Sequence, residues 1–131
     1  MSVVTNYKRD KFDIDLEYGQ KFEKHLDEVF KDGRRIEVKT ERNIWKDTGN
    51  IGIEIRCRGV ESGLSITEAE YWIHLLADGN TIEGGFIMPV NKLKKRVKEL
   101  FKEGLAKIVM GGDDNASQLV LIPIKELLNI K

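Results

Sequence analysis

The chain is organised around residues 34–42, which read Arg-Arg-Ile-Glu-Val-Lys-Thr-Glu-Arg. The alternation predicts an extended strand with Ile36, Val38 and Thr40 on one side and charged residues on the other. Glu37 and Lys39 therefore share a face, about 7 Å apart along the strand. A carboxylate and an ammonium group at this spacing, with a further carboxylate nearby, suit metal-assisted phosphodiester cleavage. Carboxylates hold a hard divalent cation, and a lysine steadies the attacking water or the developing charge.

Composition sets broad limits on the class of protein. The 131 residues suit one domain, and 22 Lys and Arg balance 22 Asp and Glu. A nucleic-acid binder of this composition needs its basic residues arranged locally. A single cysteine, Cys57, excludes an internal disulfide and fits a reducing compartment. The sequence has neither a membrane-spanning apolar run nor a secretory signal, so we expect a cytoplasmic protein.

The first half of the chain predicts a helix followed by two strands. Residues 1–11 are polar and aperiodic and are predicted to form a loose N-terminal arm. From about Asp15 a helical stripe runs to Asp32, formed by Phe22, Leu26, Val29 and Phe30. Glu23 lies at the edge of this stripe and is a candidate metal ligand. A second alternating strand spans residues 50–58, after turn residues and Trp45.

These two strands are predicted to form an antiparallel hairpin with its turn at residues 45–46. The expected cross-strand pairs are Ile36 with Ile55, Val38 with Ile53, Glu37 with Glu54, and Lys39 with Gly52. Like charges opposite each other destabilise a ladder by up to about 1 kcal/mol, and a cation between the carboxylates reverses that effect. The hairpin therefore predicts a cation site at Glu37 and Glu54.

The second half alternates between strands and helices. The predicted elements are a helical turn at 67–70, a central strand at 71–77, a strand at 81–88, an amphipathic helix at 91–103, strands at 107–110 and 118–122, and a last helical turn at 124–129. The lysine-rich side of the 91–103 helix is interpreted as a solvated face, with a DNA-binding tract as the alternative. Together the elements predict an α/β fold.

The order of elements and the Glu37-Val38-Lys39 motif resemble the PD-(D/E)XK nuclease superfamily. Its members include restriction enzymes, recombination exonucleases and Holliday junction resolvases. Residues 15–23, 37–54 and 62–72 also resemble small phage-encoded nuclease-like proteins of that group. The resemblance covers roughly residues 12–128. It implies a restriction-endonuclease-like mixed β-sheet flanked by α-helices over a single domain, residues 1–131.

This chain departs from the family pattern upstream of the motif. The family's proline-aspartate is absent, and the nearest aspartates are Asp27 and Asp32. A second assignment is therefore open, in which Glu37 takes the aspartate position. Residues 54–56, Glu-Ile-Arg, then form a degenerate motif, and Lys39 supplies the ammonium group from the adjacent strand. Both assignments place the same residues in one pocket.

The resemblance implies a Mg²⁺- or Mn²⁺-dependent DNA endonuclease that is selective for branched or junction DNA. Its metal ligands are then Glu37, Glu54 and Glu23, and its catalytic residues are Glu37, Lys39 and Glu54. The expected phosphate contacts are Arg42, Lys46, Arg56, Arg58, Ser62, Ser65 and Thr67. A branched substrate exceeds the size of one chain, so a homodimer is expected, in the host cytoplasm if the protein is phage-encoded. The alternative is an inactive nuclease-fold module that binds nucleic acid or protein, with Glu37 and Lys39 as a surface ion pair.

Overall fold

The computed structural model describes the backbone of residues 9–129 and the side chains of residues 16–129. The chain divides into two compact units, Met1–Gly33 and Arg34–Lys131. In the first unit, helix α1 (Arg9–Lys31) begins earlier than predicted, so residues 9–11 are helical and are not part of a loose arm. Residues 1–8 of the predicted arm lie outside the described part. The expectation of a single nuclease-like domain stays a prediction.

The second unit contains the strands and the other helices of the described chain. In order these are β1 (Ile36–Arg42), α2 (Ile44–Thr48), β2 (Asn50–Cys57), β3 (Val60–Glu61), β4 (Tyr71–Asp78), β5 (Thr81–Pro89), α3 (Val90–Lys102), β6 (Lys107–Gly111), β7 (Ser117–Pro123) and α4 (Ile124–Leu127). Most predicted elements are confirmed. The helical turn expected at 67–70 is wrong. The turn lies instead at Gly63–Ser65, and the Thr67 hydroxyl accepts a hydrogen bond from the Ala69 N–H at 3.2 Å.

Two sheets organise this unit. The first has the order β1-β4-β5, with β4 parallel to β1 and antiparallel to β5. The second is antiparallel, with the order β3-β2-β7-β6. The predicted α/β class is confirmed. The segment 71–77 is a central strand, as its continuous apolar run indicated.

The predicted hairpin between β1 and β2 is wrong, because these strands belong to different sheets. Residues 44–48, expected to be a turn, form α2, and the Trp45 indole N–H donates to the Ala77 carbonyl at 2.8 Å. That bond holds α2 at the end of β4, which pairs with β1. Strand β2 instead pairs with β7. The hydrophobic alternation correctly predicted which residues of each strand share a face, but it did not determine which strands pair.

The core lies between β2, β7, β4 and α3. Its fully buried side chains include Ile51, Ile53, Trp72, Leu93, Leu100, Ile122 and Leu127. Helix α3 presents Leu93, Val97 and Leu100 of its predicted apolar stripe to this core, whereas Phe101, the fourth residue of that stripe, is 51% exposed. Within residues 9–129, none of the helices combines the length and the apolar character needed to cross a bilayer.

Candidate functional site

The candidate site begins with a carboxylate and an ammonium group on β1. Glu37 Oε1 lies 3.5 Å from Lys39 Nζ, and their side chains are 36% and 43% exposed. The predicted sharing of one strand face is therefore confirmed. On the other face of β1, Val38 is 52% exposed. The two polar groups are close enough to act on one ligand, and both remain accessible to it.

The register of β1 explains why its charged face is partly enclosed. Glu37 pairs with Trp72 and Lys39 pairs with His74, and both partners are fully buried. Because paired residues of neighbouring strands point to the same side, the charged face of β1 continues into the buried face of β4. The sequence placed the apolar side chains of β1 on the face shared with β2, and this expectation is wrong.

A hydrogen-bond chain extends from β1 into the core. Glu41 Oε1 accepts the Gly52 N–H at 2.8 Å and lies 3.0 Å from His74 Nε2, while the Trp72 indole N–H donates to His74 Nδ1 at 3.0 Å. Since an indole nitrogen only donates, His74 Nδ1 is the acceptor, which assigns the imidazole proton to Nε2 as the donor to Glu41. Phe86 stacks on this ring at 5.6 Å between centroids.

Glu41 therefore joins the two sheets, because Gly52 belongs to β2 and His74 to β4. From the sequence, Glu41 is only one of the charged residues predicted on β1, and nothing singles out His74. The available signal was the two-residue spacing, which places Glu41 on the same strand face as Glu37 and Lys39. These hydrogen bonds hold the C-terminal end of β1 in place, and β1 is the strand that carries Glu37 and Lys39.

Glu54 does not lie opposite Glu37. It sits on β2, where Ser117 Oγ donates to its Oε1 at 2.6 Å, and its ladder partner is Leu119. The predicted facing pair of carboxylates is therefore wrong. Among residues 16–129, no three His, Cys, Asp or Glu side chains form a group able to hold a metal ion. Glu23 is exposed on α1 of the first unit, and its role as a ligand stays a prediction.

Three of the four cations expected to bind phosphate have partners within the chain. These contacts are Lys46 with Asp78 at 2.6 Å, Arg58 with Asp114 at 3.6 Å, and Arg56 Nη2 with the Gly59 carbonyl at 2.7 Å. All three residues are at least partly exposed, and Arg42 is exposed at the end of β1. These pairs are surface contacts of small energy, so a phosphate is able to compete for the cations.

The three hydroxyl residues expected to contact DNA differ in accessibility, and Ser65 is the exposed one. Thr67 is half-buried, and its hydroxyl oxygen accepts the Ala69 N–H. The Ser62 hydroxyl oxygen is buried and has no hydrogen-bond partner among residues 16–129. The Ser62 N–H donates to the Ile55 carbonyl at 3.0 Å, which draws this residue against β2. The contact from Ser62 to a phosphate stays a prediction, and it requires a movement that exposes the hydroxyl.

The ion pair of Lys46 gives a prediction that a titration checks. A hydrogen bond and charge attraction from Asp78 raise the pKa of Lys46 above its ordinary 10.5. The ion pair therefore contributes to the stability of the folded protein below pH 10.5, and this contribution disappears as the pH rises through the raised pKa. Asp78→Asn is expected to lower the Lys46 pKa, measured by NMR of the lysine side chain. Asp47→Asn is the control, since Asp47 is the smallest cause. Equal shifts in both variants contradict the assignment.

Comparison of the chain with protein-family models, curated proteins and solved structures finds no match. The main feature of the candidate site is the accessible pair of Glu37 and Lys39 on β1, a strand that the hydrogen bonds of Glu41 hold to the core.

Proposed function

We propose that the chain hydrolyses phosphodiester bonds in DNA with Mg²⁺ or Mn²⁺ as cofactor. The observation that carries the proposal is the 3.5 Å contact between Glu37 and Lys39 on one accessible strand face. The resemblance of residues 37–39 to the PD-(D/E)XK motif supports it. In this role Glu37 holds the metal ion, and Lys39 orients the attacking water or stabilises negative charge on the phosphate.

One carboxylate on β1 is compatible with magnesium chemistry. Mg²⁺ commonly binds one or two carboxylates and completes its octahedron with water and substrate phosphate oxygens. Held by Glu37, the ion would supply a coordinated water of lowered pKa and would neutralise phosphate charge. Besides Glu37, the ion would then need at most one further protein ligand. Glu54, on β2 of the same unit, is the candidate that the proposal retains for that place.

The proposed substrate is branched or junction DNA that the protein recognises by shape. The exposed cations Arg42 and Lys46 are candidates for contacts to the phosphates that flank the cut. A branched substrate is large beside a chain of 15.0 kDa, so we propose a homodimer with two sites. The proposed location is the cytoplasm, that of the host if the protein is phage-encoded.

The proposal is tested by incubating the protein with supercoiled plasmid and with a four-way junction in the presence of Mn²⁺. We expect nicking by the wild type, no product with a chelator, and a loss of at least about 100-fold in rate for Glu37→Gln and for Lys39→Ala. Glu68→Gln, which changes an exposed carboxylate outside β1, serves as the control and keeps its rate within about twofold. Equal nicking by the wild type and Glu37→Gln sinks the proposal.

A second candidate function is a module that binds nucleic acid without cutting it. It is favoured by the placement of Glu37 and Glu54 in different sheets and by the lack of a three-ligand group within the described chain. The same experiment separates the two functions. Tight binding of the junction by the wild type, Glu37→Gln and Lys39→Ala, with no product from any of them, supports the module.

A further inference from the structure

A cavity of about 480 Å³ lies in the second unit, beside α3. Six of its lining residues have apolar side chains: Ile55, Leu64, Val97, Phe101, Ile108 and Val120. Phe101 is 51% exposed and Ile108 is 49% exposed, so this apolar surface is open to a ligand. The volume falls in the range of about 300–1,000 Å³ that is typical of small-ligand sites.

Lysines from three successive turns of α3 also line the cavity. Lys94, Lys98 and Lys102 are spaced by four residues, so their Cα atoms follow the helix at intervals of about 6 Å. None of the three ammonium groups forms an ion pair with a carboxylate within residues 16–129. The sequence interpreted this side of the helix as a solvated face. Lys98 and Lys102 are exposed, as that interpretation predicts, and all three lysines also border the apolar surface of the cavity.

The remaining lining residues are polar. They are Glu61, from β3, and Ser65, from the turn at Gly63–Ser65. Glu61 is exposed and adds a negative charge beside the lysines, and this charge repels a ligand that is only a hydrophobic anion. A ligand that carries hydrogen-bond donors as well as negative charge satisfies the lysines and Glu61 together. This combination selects the chemistry of the ligand.

We infer that the cavity binds an unpaired nucleotide of a nucleic-acid strand. The base stacks on Phe101 and the neighbouring aliphatic side chains, as bases do on the aromatic residues of single-strand binding proteins. Its exocyclic amino group donates to Glu61, and Ser65 offers a hydroxyl to its edge. The phosphates on either side follow the row of Lys94, Lys98 and Lys102.

This inference rests on the proposed action on DNA and names a feature of the substrate. The strand that the protein processes carries an unpaired segment, such as a flap or the open centre of a branch, and the cavity captures it. Glu37 and Lys39 are not among the residues that line the cavity. Capture of the unpaired nucleotide and hydrolysis are therefore assigned to different residues, and variants test them separately.

The test measures binding of fluorescein-labelled oligo(dC) by anisotropy in the presence of a chelator, so that cutting plays no part. Three phosphate contacts predict a slope of log K against log salt of about −2. At about 50 mM salt, Lys98→Glu is expected to weaken binding at least fivefold and to reduce the slope by about 0.7. Phe101→Ala is expected to weaken binding about fivefold or more.

Lys95→Glu is the matched control, because it makes the same charge change on α3 at an exposed residue that does not line the cavity. It is expected to change affinity less than about twofold. Circular dichroism establishes that each variant is folded. Equal losses in Lys95→Glu and Lys98→Glu overturn the inference, as does the absence of binding by the wild type. Saturable binding of dodecanoate that Lys98→Glu abolishes, with no binding of oligo(dC), assigns the cavity to an amphiphilic anion and also overturns it.

The measurements separate this inference from the proposed hydrolysis. Oligonucleotide binding that depends on Lys98, with no nicking of any substrate, rejects the nuclease and keeps the cavity. Nicking that depends on Glu37, with no oligonucleotide binding, rejects the cavity and keeps the nuclease.

Discussion

Gly63→Ala is expected to lower the free energy of unfolding by about 2–5 kcal/mol. Gly63 has φ +51°, a backbone conformation that residues other than glycine rarely adopt. A Cβ atom at this residue would also lie 2.2 Å from the Glu54 carbonyl oxygen and 2.9 Å from its carbon. Both atoms belong to the backbone of β2, so the strand or the turn has to move.

The matched control for this substitution is Gly59→Ala. Gly59 also has a positive φ, +79°, but a Cβ there meets nothing within 4 Å. It is therefore expected to cost only the conformational term, about 1–2 kcal/mol. Urea denaturation of both variants gives the two values, and their difference measures the close approach of the turn to β2. Equal losses contradict the geometry of the turn.

Glu41→Ala is expected to destabilise the protein by about 2–4 kcal/mol. One carboxylate oxygen accepts hydrogen bonds from the Gly52 N–H and from His74. In the alanine variant the ring N–H of His74, a residue that is 1% exposed, loses its hydrogen-bond acceptor. A buried donor without an acceptor destabilises a protein by more than a typical hydrogen bond stabilises it. The loss is also expected to loosen β1 and to reduce any activity of Glu37 and Lys39.

Glu41→Gln tests whether hydrogen bonding or charge causes this effect. The amide oxygen of glutamine accepts the same two hydrogen bonds, so the expected loss is about 1 kcal/mol or less. Thermal and urea denaturation of both variants provides the comparison. A loss in Glu41→Gln as large as that in Glu41→Ala shows that the negative charge is essential, and it contradicts the hydrogen-bond interpretation.

The sequence predicted local structure well, because periodicity records which side chains share a face. The stripe of Leu93, Val97 and Leu100 identified α3, and the apolar run at 71–77 identified the central strand. The shared face of Glu37 and Lys39 follows from the same rule. Each of these features depends on residues that are close together in the chain.

Pairing partners could not be read in this way. The alternation of β1 and β2 is equally compatible with a hairpin and with two separate sheets, and the short helix containing Trp45 decides between them. The placement of Glu54 beside Ser117 depends on β7, far along the chain. The bonds among Glu41, His74 and Trp72 depend on the parallel pairing of β1 with β4. Such contacts arise from tertiary packing, which local patterns do not encode.

The pairing of β2 with β7 has a consequence for protein synthesis. Ile51 is opposite Ile122 and Ile53 is opposite Val120, so these isoleucines find their sheet partners only near the C-terminal end of the chain. Domains dominated by such distant pairings acquire their structure slowly, and their unsatisfied strands are prone to aggregate meanwhile. During translation Ile51 and Ile53 of the nascent chain therefore lack their β7 strand partners until β7 has left the ribosome.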